Sequence, residues 1–262
     1  MYYGLINSMK KGGVSYTART TAFATATGIT DVTILGALNT FDLGLISNSL
    51  DTKMKAVYPF LGGTSSTHKY NFMDARDLDV AFRLSFNGGM THSATGVLPN
   101  GTNAYANTFL NTTTNLTLTS HSFGVYSRTE STITTIPIGN FDGASSVLQY
   151  GAAGNMCSGP VASGLISFTA SPSKRLILGS RISASNFSGY RDGSFLAVNG
   201  LGIASLPNYN VFLFARNDAG SANLFSLNEL CFAFLGDGLS SLEVTNFTNI
   251  VNNLQTALSR NV

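Results

Sequence analysis

The chain has 262 residues, enough for one large β-sandwich domain that buries roughly 70–75% of the surface its unfolded form exposes. Charged residues make up 11% of it, against about 25% in ordinary soluble domains, and the only glutamates are Glu130, Glu229 and Glu243, which excludes long helices laced with ion pairs. The net charge of +2 is spread with no basic run longer than Lys10-Lys11 or Lys174-Arg175, excluding a nucleic-acid partner, and no apolar stretch of about 18 residues supports a membrane partner.

Ser, Thr, Asn and Gly take the places that Lys and Glu usually fill, and these residue types suit half-exposed strands and tight turns. The start, Met1-Tyr2-Tyr3-Gly4, lacks a basic segment followed by an apolar one, so no classical secretory leader is expected there. Residues 1–30 are rich in Thr, Ala and Gly with little apolar periodicity, and are expected to form an extended arm that docks on a partner. From Thr30-Asp31 the spacing of Ile34, Leu35, Leu38, Phe41, Leu45 and Ile46 predicts a helix over about 31–46, with a short turn at 51–56.

After residue 57 the turn signals Gly62-Gly63, Asn87-Gly88-Gly89, Asn100-Gly101, Asp142-Gly143, Asp192-Gly193 and Asp237-Gly238 recur between short apolar runs. They predict strands at 57–61, 80–86, 103–109, 122–128, 133–138, 145–150, 163–169, 175–182, 187–191, 194–198, 210–216 and 229–235, a spacing that suits a sandwich. Tyr190-Arg191-Asp192-Gly193-Ser194-Phe195 predicts a type I′ hairpin. Ser240 and Glu243 form a capping box, opening a C-terminal amphipathic helix over about 240–260 with Leu242, Phe247, Ile250, Val251, Leu254 and Leu258 on one stripe. Residues 31–262 read as one domain.

Three stretches carry a family resemblance. Leu98-Pro99-Asn100-Gly101-Thr102-Asn103-Ala104-Tyr105 is similar to the opening strand of laminin-G/concanavalin A-like domains, where glycine makes the turn and the tyrosine covers the sheet. The 190–195 hairpin resembles a later unit of that family, and Leu230-Cys231-Phe232-Ala233-Phe234-Leu235-Gly236-Asp237-Gly238-Leu239-Ser240 resembles its closing strand and helix cap. The resemblance implies a mainly β, concanavalin A/laminin-G-like jelly-roll sandwich. Lys53-Met54-Lys55-Ala56-Val57-Tyr58-Pro59-Phe60-Leu61-Gly62-Gly63-Thr64, Asp74-Ala75-Arg76-Asp77-Leu78-Asp79 and Gly88-Gly89-Met90-Thr91-His92-Ser93 are similar to segments of bacteriophage virion proteins, with Met90 standing where that pattern has Trp.

What the resemblance implies is a non-enzymatic virion component, such as a head or tail fibre, tail-associated or decoration protein. It would be homo-oligomeric, joined to other virion proteins through the N-terminal arm and able to bind host surface polysaccharide; a bacterial lectin-like adhesin is the rival. Tyr190, Arg191, Asp192, Asn217 and Asp218 are the candidate glycan-binding residues, being polar or aromatic and set in loops. No ExDxE carboxylate strand, GxSxG elbow or phosphate-binding glycine loop is present, so no enzyme and no cofactor is expected. Asp74, Asp77 and Asp79 offer calcium-type oxygens, yet Arg76 among them favours internal pairing. His68, His92 and His121 lack zinc spacing and read as hydrogen-bonding residues, while Cys157 and Cys231 read as free thiols with Cys231 in the core.

Overall fold

Thr17 caps a helix that the composition conceals. The computed structural model of the chain describes residues 15–131, 133–151, 154–158, 166–168, 174–200 and 205–262. In it, α1 (Ala18–Thr27) opens where the Thr17 hydroxyl accepts from the Thr20 amide and closes at Gly28, whose φ of 71° lets its N–H reach the Ala24 carbonyl. The extended arm expected over residues 1–30 is corrected for 15–29; residues 1–14 lie outside the described residues. Only Tyr16, Phe23 and Ile29 bring apolar side chains into the core, too few to print a period, and polar anchors do the rest. The Thr17 amide donates to Asn39 Oδ1, the Thr17 hydroxyl donates to buried Asp42, and Arg19 pairs with the same carboxylate.

The predicted second helix is α2 (Val32–Ser47), capped by Asp31 Oδ1, which accepts from the Thr33 and Ile34 amides. It buries Leu35, Leu38, Phe41 and Leu45, while Ile46, assigned to the same stripe, is exposed. The chain then turns at 51–53 and enters β1 (Met54–Tyr58), three residues earlier than the apolar run suggested. After it come α3 (Ser65–His68), β2 (Ser85–Asn87), β3 (Met90–Ser93), β4 (Gly96–Pro99), β5 (Tyr105–Asn111), α4 (Thr112–Asn115), β6 (His121–Ser127), β7 (Thr135–Phe141) and β8 (Ser145–Gly151). The later strands are β9 (Gly154–Ser158), β10 (Ile166–Phe168), β11 (Arg175–Ser183), β12 (Asn186–Arg191), β13 (Ser194–Asn199), β14 (Asn210–Leu213), β15 (Arg216–Asp218), β16 (Ser221–Asn223) and β17 (Leu230–Gly236). The strand predicted over 80–86 is present only from Ser85, because 79–81 form a turn of 3-10 helix.

These strands make two sheets. One runs β13-β12-β11-β6-β17-β4-β3 with β1 also on β17, and the other runs β10-β9-β8-β7-β14-β5-β2 with β15 on β7 and β16 on β15. Every pair is antiparallel except β15 with β7. Between the sheets lies a core of Tyr58, Phe60, Val97, Leu110, Phe123, Ile138, Ile177, Phe187, Leu213, Phe214 and Leu235. On its other side the first sheet carries a second core, where Tyr126, Leu176, Leu178, Phe232 and Phe234 meet Phe23, Leu38 and Phe41 and the C-terminal helix α5 (Ser241–Ala257).

The molecule is therefore three layers, helices then sheet then sheet, and β17, like its neighbour β6, is buried on both faces. Its continuous apolar run follows from that position. Ala233 and Leu235 point to the inter-sheet core and Phe232 and Phe234 to the helices, with a register shift between Leu230 and Phe232. The Ser240–Glu243 capping box of α5 forms as predicted, while Leu242 is 70% exposed and Val244 takes its place in the buried stripe. The hairpin at Asp192-Gly193 also forms, with φ of 49° and 79°. Among the described residues, no helix is long and apolar enough to cross a membrane.

Candidate functional site

The five residues proposed for glycan binding fall into two groups on different sheets. Tyr190 lies on β12 and faces the helical layer, 4% exposed, with its hydroxyl 3.0 Å from Ser241 Oγ at the start of α5. Half-buried Arg191 follows it, and Asp192 begins the turn. Asp192 accepts from Arg175 Nη1 at 2.7 Å and from Asn252 Nδ2 at 2.8 Å, tying β11, the hairpin and α5 together. The second group shapes a turn on the other sheet. Asn217 is buried, donating to the Asn210 carbonyl and accepting from the Gly220 amide, and the Asp218 carboxylate accepts from Arg216 and Asn223. The first sheet stands between Tyr190 and this turn, so the five residues do not form one site.

The aspartate cluster is neutralised by its own neighbours. Asp74 accepts from Arg76 Nε at 2.8 Å, Asp77 pairs with Lys69 and Arg83, and Asp79 accepts from Arg83 Nε at 2.8 Å. The hydrogen bond from Arg76 holds the Asp74 carboxyl below its ordinary range, and that from Lys69, aided by Arg83, does the same for Asp77. This is the internal pairing that Arg76 suggested. No group of three potential metal ligands occurs among the described residues.

Two of the three histidines meet. His68, buried at the end of α3, accepts the Gly63 amide at Nε2, 3.1 Å away, and its Nδ1 lies 3.0 Å from Nδ1 of half-buried His92 on β3. The Gly63 bond fixes the tautomer, since an Nε2 that accepts leaves the proton on Nδ1, which then donates to His92. A metal ion on His68 Nδ1 would need the opposite tautomer and would break the Gly63 bond. Burial, then the nearby His92 and Arg260, push the His68 pKa down to about 3, and burial also lowers that of His92. His121 donates from Nδ1 to the Thr117 carbonyl, and burial pushes its pKa down to about 4. Cys231 is a free thiol in the core, as read; the side chain of Cys157 lies outside the described residues.

Sequence reasoning missed a shallow depression of about 260 Å³ beside Tyr190. Ser180 and Ile182 of β11, Asn186, Ser188 and Tyr190 of β12, and Phe195 and Val198 of β13 line it, where the helical layer stops short of the sheet edge. Phe195 and Val198 are three apart and would face opposite ways on a regular strand. A register shift between Gly189 and Tyr190 brings both to this face, and no local pattern announces such a shift.

No protein-family model matches the sequence, and no curated protein matches it. Solved structures do resemble the fold. A mutant of Trypanosoma rangeli sialidase displaying trans-sialidase activity has a TM-score of 0.52 at 12% identity, over 83% of this chain and 39% of that one. Trypanosoma rangeli sialidase bound to 2,3-difluoro-KDN gives 0.50 at 11% identity, over 82% and 39%. A NanB sialidase of Streptococcus pneumoniae gives 0.42 at 15%, over 50% and 24%. The chain thus spans less than half the length of each of these proteins, and at such identity the likeness is one of fold. It corrects one expectation: the similar structures are enzymes, so the inference that this chain is not an enzyme is withdrawn. The expectation rested only on the absence of a carboxylate pair and a serine elbow from the sequence. What the geometry and the comparisons establish together is a mainly β, two-sheet chain with a helical layer, similar in fold to part of these sialidases.

Proposed function

We propose that this chain is a component of a bacteriophage particle, a homo-oligomeric module with a concanavalin A/laminin-G-like jelly-roll sandwich that presents a surface for host glycan. The observation that carries the reading is spatial. The three segments similar to virion proteins lie apart in sequence, yet they pack into one unit at one edge of the first sheet. Gly63 of the first segment donates to His68, which contacts His92 of the third. Asn71 accepts the Val57 amide, donates to the Lys55 and Ala81 carbonyls, and pairs by a β-bridge with Asp74 of the second. The segments are joined by the short stretches 65–73 and 80–87, and the bonds of His68 and Asn71 within the first stretch tie 53–93 together, which supports reading it as one structural unit.

The fold shared with sialidases favours the glycan part of this reading. Mass spectrometry of purified particles from cells carrying the encoding genome tests the particle part. The chain is expected among the stoichiometric virion proteins; its absence from particles overturns the assignment and leaves a lectin-like adhesin as the reading to pursue.

A further inference from the structure

The depression beside Tyr190 has a chemistry of its own. Phe195, on the terminal strand of the first sheet, is 56% exposed, and Val198 and Ile182 beside it are 52% and 49% exposed. More than half of this aromatic ring is left in water on a strand position that threonine could fill. Its ring stands edge-on to Tyr190, with centroids 5.8 Å apart, which holds it at a fixed angle above the sheet. Cross-strand pairing builds the floor. Ser180 lies opposite Ser188, and Ser188 opposite Val198, while Asn186 sits one step further along β12.

The polar groups there are neutral. Ser188 Oγ donates to Asn186 Oδ1 at 2.9 Å, which leaves the Asn186 amide N–H₂ without a partner among the described residues. Ser241 Oγ is already engaged with Tyr190 at the helical wall. Among the described residues no charged side chain lines the space: Arg181, between Ser180 and Ile182, turns to the opposite face, where it is buried over the Phe187 ring. An aromatic wall over hydroxyl and amide groups without charge is complementary to a pyranose ring, which offers an apolar C–H face and a rim of neutral hydroxyls. The same lining offers a carboxylate or phosphate no cation to balance its charge.

We propose that this face is a carbohydrate subsite for a neutral hexopyranose glycan, with Phe195 stacking on the sugar and Asn186, Ser188 and Ser180 bonding its hydroxyls. The assignment rests on the glycan part of the function proposed above and names its site and sugar class. The volume of about 260 Å³ suits one ring, so further units of a polysaccharide would lie outside the depression.

The test passes the purified full-length chain over immobilised mannan, dextran and cellohexaose, with sialyllactose as the anionic probe. Retention by at least one neutral probe and not by sialyllactose is expected. Phe195→Ala is expected to weaken retention by about tenfold or more and Asn186→Ala by several-fold, while Phe195→Tyr keeps it. Leu43→Ser, a change at an exposed position on α2, is expected to leave it unchanged. Undiminished retention of Phe195→Ala and Asn186→Ala, with intact circular dichroism, overturns the subsite and leaves the glycan reading standing. Failure of the wild-type chain on all three neutral probes overturns both, and the particle assignment then stands on mass spectrometry alone. A Phe195→Ala chain that sediments as a smaller oligomer than wild type assigns the face to contact between copies and overturns the proposal.

Discussion

His68 Nδ1 lies 3.0 Å from His92 Nδ1, and the contact joins the loop after β1 to the strand at the edge of the first sheet. Because Gly63 donates to the far nitrogen of His68, the pair is compatible with two neutral rings and with no extra proton. Phe60 and Phe86 pack on the rings edge-on, and Arg260, donating to the Pro59 and Phe60 carbonyls, adds a positive charge nearby.

Acid should therefore loosen this fold before its carboxylates titrate. Above the unfolded imidazole pKa of about 6.5, both states are neutral and pH has no effect through these groups. Below it the unfolded chain takes up protons that folded His68 and His121 refuse until pH values of about 3 and about 4. Stability is thus fully present at pH 7 and falls as pH is lowered, by about 1.4 kcal/mol per pH unit for each imidazole. Urea midpoints at pH 7 and pH 5 measure the loss, and His68→Gln should reduce it by about half, leaving the His121 share. Equal midpoints for the wild-type chain would contradict the buried, neutral assignment.

The Asp192 clamp should hold the hairpin to α5. Asp192→Ala removes the bonds to Arg175 and Asn252 and places alanine at a φ of 49°. Arg175 is half exposed, so its charge adds little, and the neutral bond and the backbone strain dominate. We expect a loss of about 1–3 kcal/mol. Asp192→Asn, which tolerates the left-handed backbone, should recover part of it in thermal melts.

Phe232 is the keystone between β17 and the helices. It packs edge-on to Phe41 and near Phe234 and Phe247, with no exposure. Phe232→Ala should cost about 3–5 kcal/mol, read as a lowered denaturant midpoint, with Phe232→Leu losing less. A shift within error for alanine would mean that the helical layer does not depend on this contact.

The Cys231 thiol should be silent in the native protein. Burial pushes its pKa up to about 12, and its sulfur lies 3.7 Å from the Tyr126 carbonyl. In a Cys157→Ser background, iodoacetamide at pH 8 should modify Cys231 only at the rate of unfolding. Rapid labelling without denaturant would show that the core opens locally.

Local chemistry made part of this structure legible. The Asp192-Gly193 turn, the Ser240–Glu243 box and the period of α2 each depend on a few adjacent residues, and each formed where read. The helix α1 escaped because Thr17, Arg19 and Asp42 hold it through polar contacts that no hydropathy pattern records. The hairpin of β3 and β4 escaped for a related reason. Its residues Met90-Thr91-His92-Ser93 alternate weakly, and partners elsewhere settle their fate. The glycan candidates were chosen as loop residues, yet the side chains of Tyr190, Asp192, Asn217 and Asp218 are bound within the fold. The face beside them depends on a register shift, which is a property of two strands and not of either sequence alone.

The pairing of β1 with β17 gives the chain a temporal order. An early strand, Met54–Tyr58, bonds locally to Asn71 and Phe72, but its strand partner among the described residues is Leu230–Gly236, so during synthesis the ladder must wait while nearly everything between them emerges. Until then its apolar residues have no permanent neighbour, and closing so long a loop delays the central strand, its two cores and the docking of the helices together. A strand made late is the one that locks a strand made early.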